Sequence, residues 1–575
     1  MRPNAPLYRI LPTLALLGVA ACGGEPENPA DLVLTNGKVI TVDDAVPEAQ
    51  ALAVKDGRIL AVGSSQEMEA YVGSSTQVVD LAGRTAIPGF IEGHGHYTSL
   101  GETKLTLDLT GATTWDDIVA LVGEAASTAE PGAWIVGWGW HQEKWNPAPT
   151  ETVDGVPLHA GLSAVSPDHP VFLTHASGHA AFANARAMER AGITRSTPDP
   201  DGGTIVKDAA GNPTGLLREN ADALVGRVLA ADMDARSDQE KWDEFVRVVE
   251  LAGEEALSKG VTSFHDAGSN FATIDGFKRL ADEGRLPIRL YVMVRFESND
   301  AMREKLPGYR MVGYGNDFLT VRSIKRQIDG ALGSHGAWLL EPYADLPTST
   351  GLAVEEPDDI EETTRIALEL GYQVNTHAIG DRANREVLDI YQRTFADADD
   401  PQALRWRIEH AQHVDPADLP RFAELGLIAA MQGVHCTSDA PWVFRRLGAE
   451  RAESGAYMWR DFIDHGVVIG NGTDVPVEDI SPIASYTSSV VRKDRDGNPF
   501  FPAQKMTRME ALKSYTLNNA YAAFEEALKG TLTPGKVADI AVLDRDILTV
   551  SDDELPLTQV DMTIVGGEIR YERVR

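Results

Sequence analysis

Cysteine is almost missing from this 575-residue chain, occurring only at Cys22 and Cys436. One internal disulfide is the most it could form, and none if Cys22 is otherwise engaged, so stability must come from packing or from metal. Basic charge is also scarce. Lys and Arg total 52 against 86 Asp and Glu, a formal net charge of −34. Such a balance argues against a nucleic-acid partner, which needs a cationic face, and says more about solubility than about fold. Beyond Ala21 no uninterrupted apolar run is long enough to span a bilayer as a helix. What is present, 43% hydrophobic and 24% charged residues, is globular composition. The length allows several units of roughly 100–200 residues.

The first thirty residues read as targeting rather than fold. Arg2 and Arg9 precede an apolar stretch from Ile10 to Ala21 that ends in small residues before Cys22, the layout of a secretory signal. Val19-Ala20-Ala21-Cys22 resembles a bacterial lipobox, in which the cysteine is lipidated and becomes the new N-terminus. Ordinary cleavage with Cys22 incidental is the plainer alternative. Residues 1–22 are thus expected to be a lipoprotein-type signal peptide, and 23–30 a flexible tether. The expectation is an exported body, periplasmic or outside, that meets a membrane only through its anchor.

Short alternating segments follow. DLVLTNGKVITVD, AQALAVKDGRILAVG and QVVDLAGRTAI carry Asn-Gly and Asp-Gly turn signals, and similar pieces return as DIAVLDRD and MTIVGGEIRYE. Both chain ends, 31–87 and 528–575, are expected to share one small β-domain. Between them, over 88–527, apolar runs alternate with helical stretches such as WDDIVALVGEAAST and EETTRIALELG. That alternation points to βα units around a parallel sheet. The middle exceeds the ~250 residues typical of a (β/α)₈ barrel, and the Pro-, Gly- and Asp-dense stretch 146–230 is the expected insertion.

IPGFIEGHGH ends in His94 and His96, which on a strand share one face and could grip one divalent ion. Further runs end in residues of ligand type: Lys325 and Asp329 in SIKRQIDG, His377 and Asp381 in NTHAIGD, His410 and His413 in RIEHAQH, Asp474 in GNGTDVP. In a parallel barrel such endings gather on one rim. For Lys325 two readings stand, since a buried ammonium must be paired or neutralised: an ion pair with Asp329, or carboxylation by carbon dioxide and a bridging position between two metals.

Taken in order, PGFIEGHGH, IKRQIDGALGSHGAWLLEPYADLP, NTHAIGDRAN, RIEHAQHV, MQGVHCTSD and LKGTLTPGKVADIAVLDRD resemble the amidohydrolase superfamily. They are most similar to the branch that includes N-substituted formamide deformylase, and the likeness runs from Asp31 to Arg575. The resemblance implies a metal-dependent TIM barrel beside a composite β-sandwich. It implies one or two divalent ions, Zn2+ first among them. His94, His96 and Asp474 would hold one, His377 and His410 the other, with Lys325 bridging as N6-carboxylysine. The branch pattern H-x-S-G-H matches His175 and His179, implying that they line the substrate site; a structural role for this pair stays open. Departures are Glu92 where Asp is usual, Gly433 where Pro is common, and Gly472-Thr473 where Ser is more usual. None removes a ligand, but each could alter support of the histidines or the shape of the pocket.

The chemistry implied is hydrolysis of an amide C–N bond in an N-acyl or N-formyl small molecule, with Asp474 taking and returning the proton. An ester, lactone or cyclic amide is the near alternative, and a non-catalytic surface-anchored binder the distant one. Trp138 and His141 lie in WIVGWGWHQEKW, where Trp134, Trp138 and Trp140 share parity. They could form an aromatic wall for substrate or be core under a loop. Ser263, His265 and Asp266 lack a nucleophile elbow, and Cys436 reads as a buried structural thiol. The resemblance also leaves room for a homodimer.

Overall fold

The computed structural model describes Pro26 and residues 28–574 except Asp154, Ser177, His179, Asp201 and Gly202. The leader with Cys22, and His179 of the H-x-S-G-H pattern together with its serine, Ser177, therefore lie outside the described residues. Among the described residues no helix is long and apolar enough to cross a membrane.

Eight strands run parallel around the centre: β1 (Phe90–Gly95), β2 (Val261–Ser269), β3 (Arg289–Val294), β4 (Leu319–Gln327), β5 (Gln373–Ala378), β6 (Arg407–His410), β7 (Ile428–Gln432) and β8 (Val468–Gly472). Neighbours pair in that order from β1 to β8. Both faces of such strands are covered, so they read as apolar runs; all six residues of β3 are buried. This is the TIM barrel that the βα alternation called for.

The last seam, between β1 and β8, has no ladder among the described residues. Backbone bonds bridge it at the carboxyl ends: Asp474 N–H donates to His94 O at 2.8 Å, and His96 N–H to Val475 O at 2.7 Å. Deeper in, Asn519 Nδ2 donates to Ile91 O at 2.7 Å and Asn471 O at 2.8 Å. The strands approach so closely that a Cβ on Gly93 would lie 2.4 Å from Asn471 O, and one on Gly472 would lie 2.6 Å from His94 N. Glycine is required at both places.

Strands from both ends of the described chain share a sheet. Strands 32–35, 51–55, 58–63 and 77–80 form one sheet; 38–40, 48–49 and 85–88 join 540–543, 560–565 and 568–572 in another. Asp56 and Gly57 both have positive φ, 49° and 72°, as a two-residue hairpin turn demands. Leu34, Leu52 and Val54 from one sheet pack with Val39, Ile540 and Ile564 from the other. The strand Thr85–Pro88 leads through Gly89 into β1, so the sandwich is coupled directly to the first strand of the barrel.

A further sheet occupies the β1–β2 connection. Its six strands lie between Leu107 and Glu219, around a core of Trp115, Ile118, Trp140, Leu173 and Phe182. Composition had placed this insertion at 146–230. Pro and Gly mark its loops, whereas its first strand and the capped helix Trp115–Thr128 precede them.

Candidate metal centre

The carboxyl ends of β1, β4, β5, β6 and β8 bring His94, His96, Lys325, His377, His410 and Asp474 together. Ligand atoms of His94, His96 and Asp474 lie within 4.8 Å of one another, and so do those of His410, His435 and Asp474. Asp474 Oδ1 is 3.3 Å from His96 Nε2 and 3.5 Å from His94 Nε2. Imidazole centroids stand 4.7 Å apart for His94 and His410, and 4.4 Å for His377 and His410. Lys325 Nζ is 3.3 Å from His94 Nε2. Two of the carriers, His410 (φ 72°) and Asp474 (φ 59°), occupy left-handed backbone, a strain that residues other than glycine accept chiefly at functional positions.

Three buried atoms here, Asp474 Oδ1, His377 Nε2 and His435 Nε2, have no hydrogen-bond partner. Leaving such atoms unmet is costly. A set of imidazoles and carboxylate suits a divalent transition ion, zinc among them, so these residues fit the implied metal. The other ring nitrogens are already used: His94 Nδ1 contacts Glu409 Oε2, and His410 Nδ1–H donates to Gln432 Oε1 at 2.7 Å. Such outer contacts fix tautomer and ring direction.

Electrostatics keep the donors free of protons. Burial lowers the His94 pKa to about 4, with Lys325 adding to the effect. Burial also carries His410 well below its ordinary value and lowers His377. Burial opposes charge on Asp474 too, but the imidazoles of His96, His94 and His410 outweigh it and hold that carboxyl well below the usual range. Burial brings the Lys325 amine down to about 7, so much of it is neutral near physiological pH.

The ion pair considered for Lys325 is absent. Asp329 turns elsewhere, accepting N–H bonds from Trp338 at 2.8 Å, Ile379 at 3.0 Å and Gly380 at 2.8 Å, with His377 Nε2 3.4 Å away. His413 is buried beside Tyr457, their ring centroids 5.6 Å apart.

Each departure from the family pattern has a local cause. Glu92 spans the seam: its Oε1 accepts from Thr473 N–H at 2.6 Å and His94 N–H at 3.4 Å, and burial raises its pKa to about 8. At Gly433 a Cβ would come within 2.3 Å of Ser485 O, so the turn into helix Gly433–Ser438 needs glycine. Gly472 O accepts from Ser485 Oγ and Tyr515 OH, which fixes the strand just before Asp474.

The substrate residues named from the sequence form a second group on the inserted sheet. His141 and His175 have ring centroids 4.6 Å apart, and His175 Nε2 lies 3.0 Å from Gln142 Oε1. Trp138 is half-buried nearby on strand Ile135–Trp140. The aromatic wall is not formed as parity implied. A bulge falls between Trp138 and Trp140 at Gly139, whose φ is 99°. Trp140 turns into the core against Trp145, while Trp134 Nε1–H reaches Asp232 at 2.6 Å. Cys436 is buried, its thiol pushed up to about 11 by burial.

Sequence reasoning passed over His435, Glu409, Arg407 and Gln432. Arg407 Nε lies 2.6 Å from Glu409 Oε1, and its Nη2 donates to Gly93 O at 2.7 Å. Glu409 alternates away from His410 on its strand, and His435 lies in the first turn of the helix Gly433–Ser438 that follows β7; the only cue was their adjacency to motif residues.

The family model described as the amidohydrolase family matches residues 77–571. The chain is 34% identical over 558 residues to Protein LONG AFTER FAR-RED 3 of Arabidopsis thaliana, covering 94% of this chain and 92% of that one. It is 29% identical over 557 residues to N-substituted formamide deformylase of Arthrobacter pascens, covering 94% and 98%. An uncharacterized metal-dependent hydrolase from Pyrococcus horikoshii OT3 superposes with a TM-score of 0.73 at 27% identity, over 91% of this chain and 99% of that one.

Proposed function

The chain belongs to the amidohydrolase family and is a metal-dependent hydrolase; from that premise we propose that it cleaves the C–N bond of an amide in an N-acyl or N-formyl small molecule. One observation carries the reading: Asp474 is common to both ligand groups on the rim, where one carboxylate can serve ligation and proton transfer. His94, His96 and Asp474 would hold one ion; His377, His410 and Lys325 would hold a second, with His435 at its edge. A divalent cation there supplies Lewis acidity, polarising a carbonyl and acidifying water toward neutrality.

The chain's own groups do the rest. Asp474 accepts the proton of the attacking water and returns it to the leaving nitrogen. Glu409 and Gln432 keep His94 and His410 in the tautomers that turn lone pairs inward. The neutral Lys325 amine can add carbon dioxide, releasing one proton and becoming an anionic carbamate, the form in which it would serve as a ligand. The formamide deformylase among the relatives favours an amide over an ester. From the leader alone, we further propose export and anchoring through lipidated Cys22, which a Cys22→Ser variant would release from membranes.

The test is incubation of the zinc-loaded chain with N-formyl amines, N-acyl amino acids, aryl amides, esters and lactones, with products identified by mass spectrometry. Amide cleavage is expected to dominate. Faster turnover of esters or lactones would transfer the activity to that bond, and ligand retention without product would identify a binder.

A further inference from the structure

Arg295 follows β3 directly at the metal-bearing rim. With Val294 paired to Ile324, it stands level with Lys325 on the neighbouring strand. Its backbone N–H donates to Ser269 O at 2.9 Å. The side-chain stem lies on Gly268, where a Cβ would come within 2.3 Å of Arg295 Cδ, so this glycine opens the channel the stem runs through. Nη2 donates to the neutral amide oxygen of Gln327 at 2.5 Å. Among the described residues no carboxylate lies within ion-pair distance, although the surrounding acids Asp474, Asp266 and Glu355 act on it through space.

A largely buried guanidinium offers five N–H donors, and Gln327 takes one. Isolated buried charge is expensive. Among the described residues the buried Arg289 is answered by the Asp539 carboxylate, and the buried Arg492 by the carbonyl oxygens of Phe500 and Tyr457. Arg295 has the Gln327 amide oxygen alone, and it sits beside the reaction site. Next to it Phe296 is 72% exposed and holds a φ of 64°, a conformation a bulky residue rarely adopts; Arg295 lies over its ring at 4.6 Å. A cation and an apolar face thus stand together on this rim.

We infer that Arg295 is the specificity residue that binds a carboxylate on the substrate, with Phe296 covering an apolar group beside it. The substrate class would then be N-acyl or N-formyl amino acids and their relatives, a refinement that rests on the amide reading above. A planar guanidinium matches a carboxylate bidentately, and an acidic protein of this size would otherwise repel such a ligand.

The experiment compares N-acetyl-phenylalanine with N-acetyl-phenethylamine, which lacks only the carboxylate, on zinc-loaded wild type, Arg295→Gln and Arg295→Lys. Wild type is expected to favour the carboxylate compound in kcat/KM, and Arg295→Gln to lose about 10- to 100-fold of that preference, mainly through KM. Arg295→Lys is expected to recover part of it by keeping the charge. Absence of preference in wild type, or equal losses on both compounds, would overturn the assignment. Calorimetric titration with the same pair separates the two readings. If neither amide is cleaved, tighter binding of the carboxylate by wild type than by Arg295→Gln upholds Arg295 while the amide reading falls; equal binding rejects both.

Discussion

The two ends of the barrel bury similar side chains and treat them in opposite ways. At the amino-terminal end, Arg289 opens β3 and makes two bonds to Asp539, at 2.8 and 3.1 Å. Lys529 Nζ reaches Ser263 Oγ and Glu525 Oε2, both at 2.5 Å, and Thr320 Oγ1 donates to Glu525 at 2.8 Å. Arg289 and Lys529 are both answered by carboxylates there. At the carboxyl-terminal end, Asp474 Oδ1, His377 Nε2 and His435 Nε2 have no hydrogen-bond partner, and His410 and Asp474, both on the ligand rim, hold left-handed backbone. The floor is arranged for stability, the rim for ligands, as parallel barrels generally divide the two tasks.

Asp474→Asn should separate the ends most sharply. Turnover is expected to fall about 10²- to 10⁴-fold, with metal content by mass spectrometry largely retained and the melting temperature nearly unmoved. Asp539→Ala is the converse break. It leaves Arg289 buried without its carboxylate and is expected to cost about 3–5 kcal/mol in urea unfolding, while kcat of the folded fraction stays close to wild type. Wild-type stability after that change would erase the contrast.

Two smaller tests sharpen it. Glu409→Gln weakens the hold on His94, and metal affinity measured by chelator competition should drop about 10- to 100-fold. The last concerns pH in metal-free protein. Folded Glu92 keeps its proton up to about 8, against an ordinary 4.5. Between these values the unfolded chain has released a proton that the folded one retains, so folding stability contributed by Glu92 is full below 4.5 and declines as pH rises through 8. Glu92→Gln should flatten that decline in unfolding curves taken from pH 5 to 8; an unchanged slope would mean the burial of Glu92 is not felt.

Much of this was legible because strands and their endings carry local signals. The βα alternation of the middle section signalled the barrel, and the H-x-H and the later strand endings are short local patterns that can be read without knowing the fold. What escaped depends on geometry between distant segments. Glu409 sits on the face opposite His410 in strand alternation, yet the closed barrel brings its carboxylate to His94. Parity misread the tryptophans because one bulge at Gly139 resets it. The insertion began earlier than its composition implied, since loops are conspicuous in Pro and Gly whereas a short first strand is not.

The stitched seam between β1 and β8 also dictates when the enzyme can begin to work. His94 and Asp474 face one another only after the eighth stave has been laid against the first and Asn519 has locked them. The two ligands are separated by most of the barrel in sequence, so the site exists only where the first and last staves are held side by side.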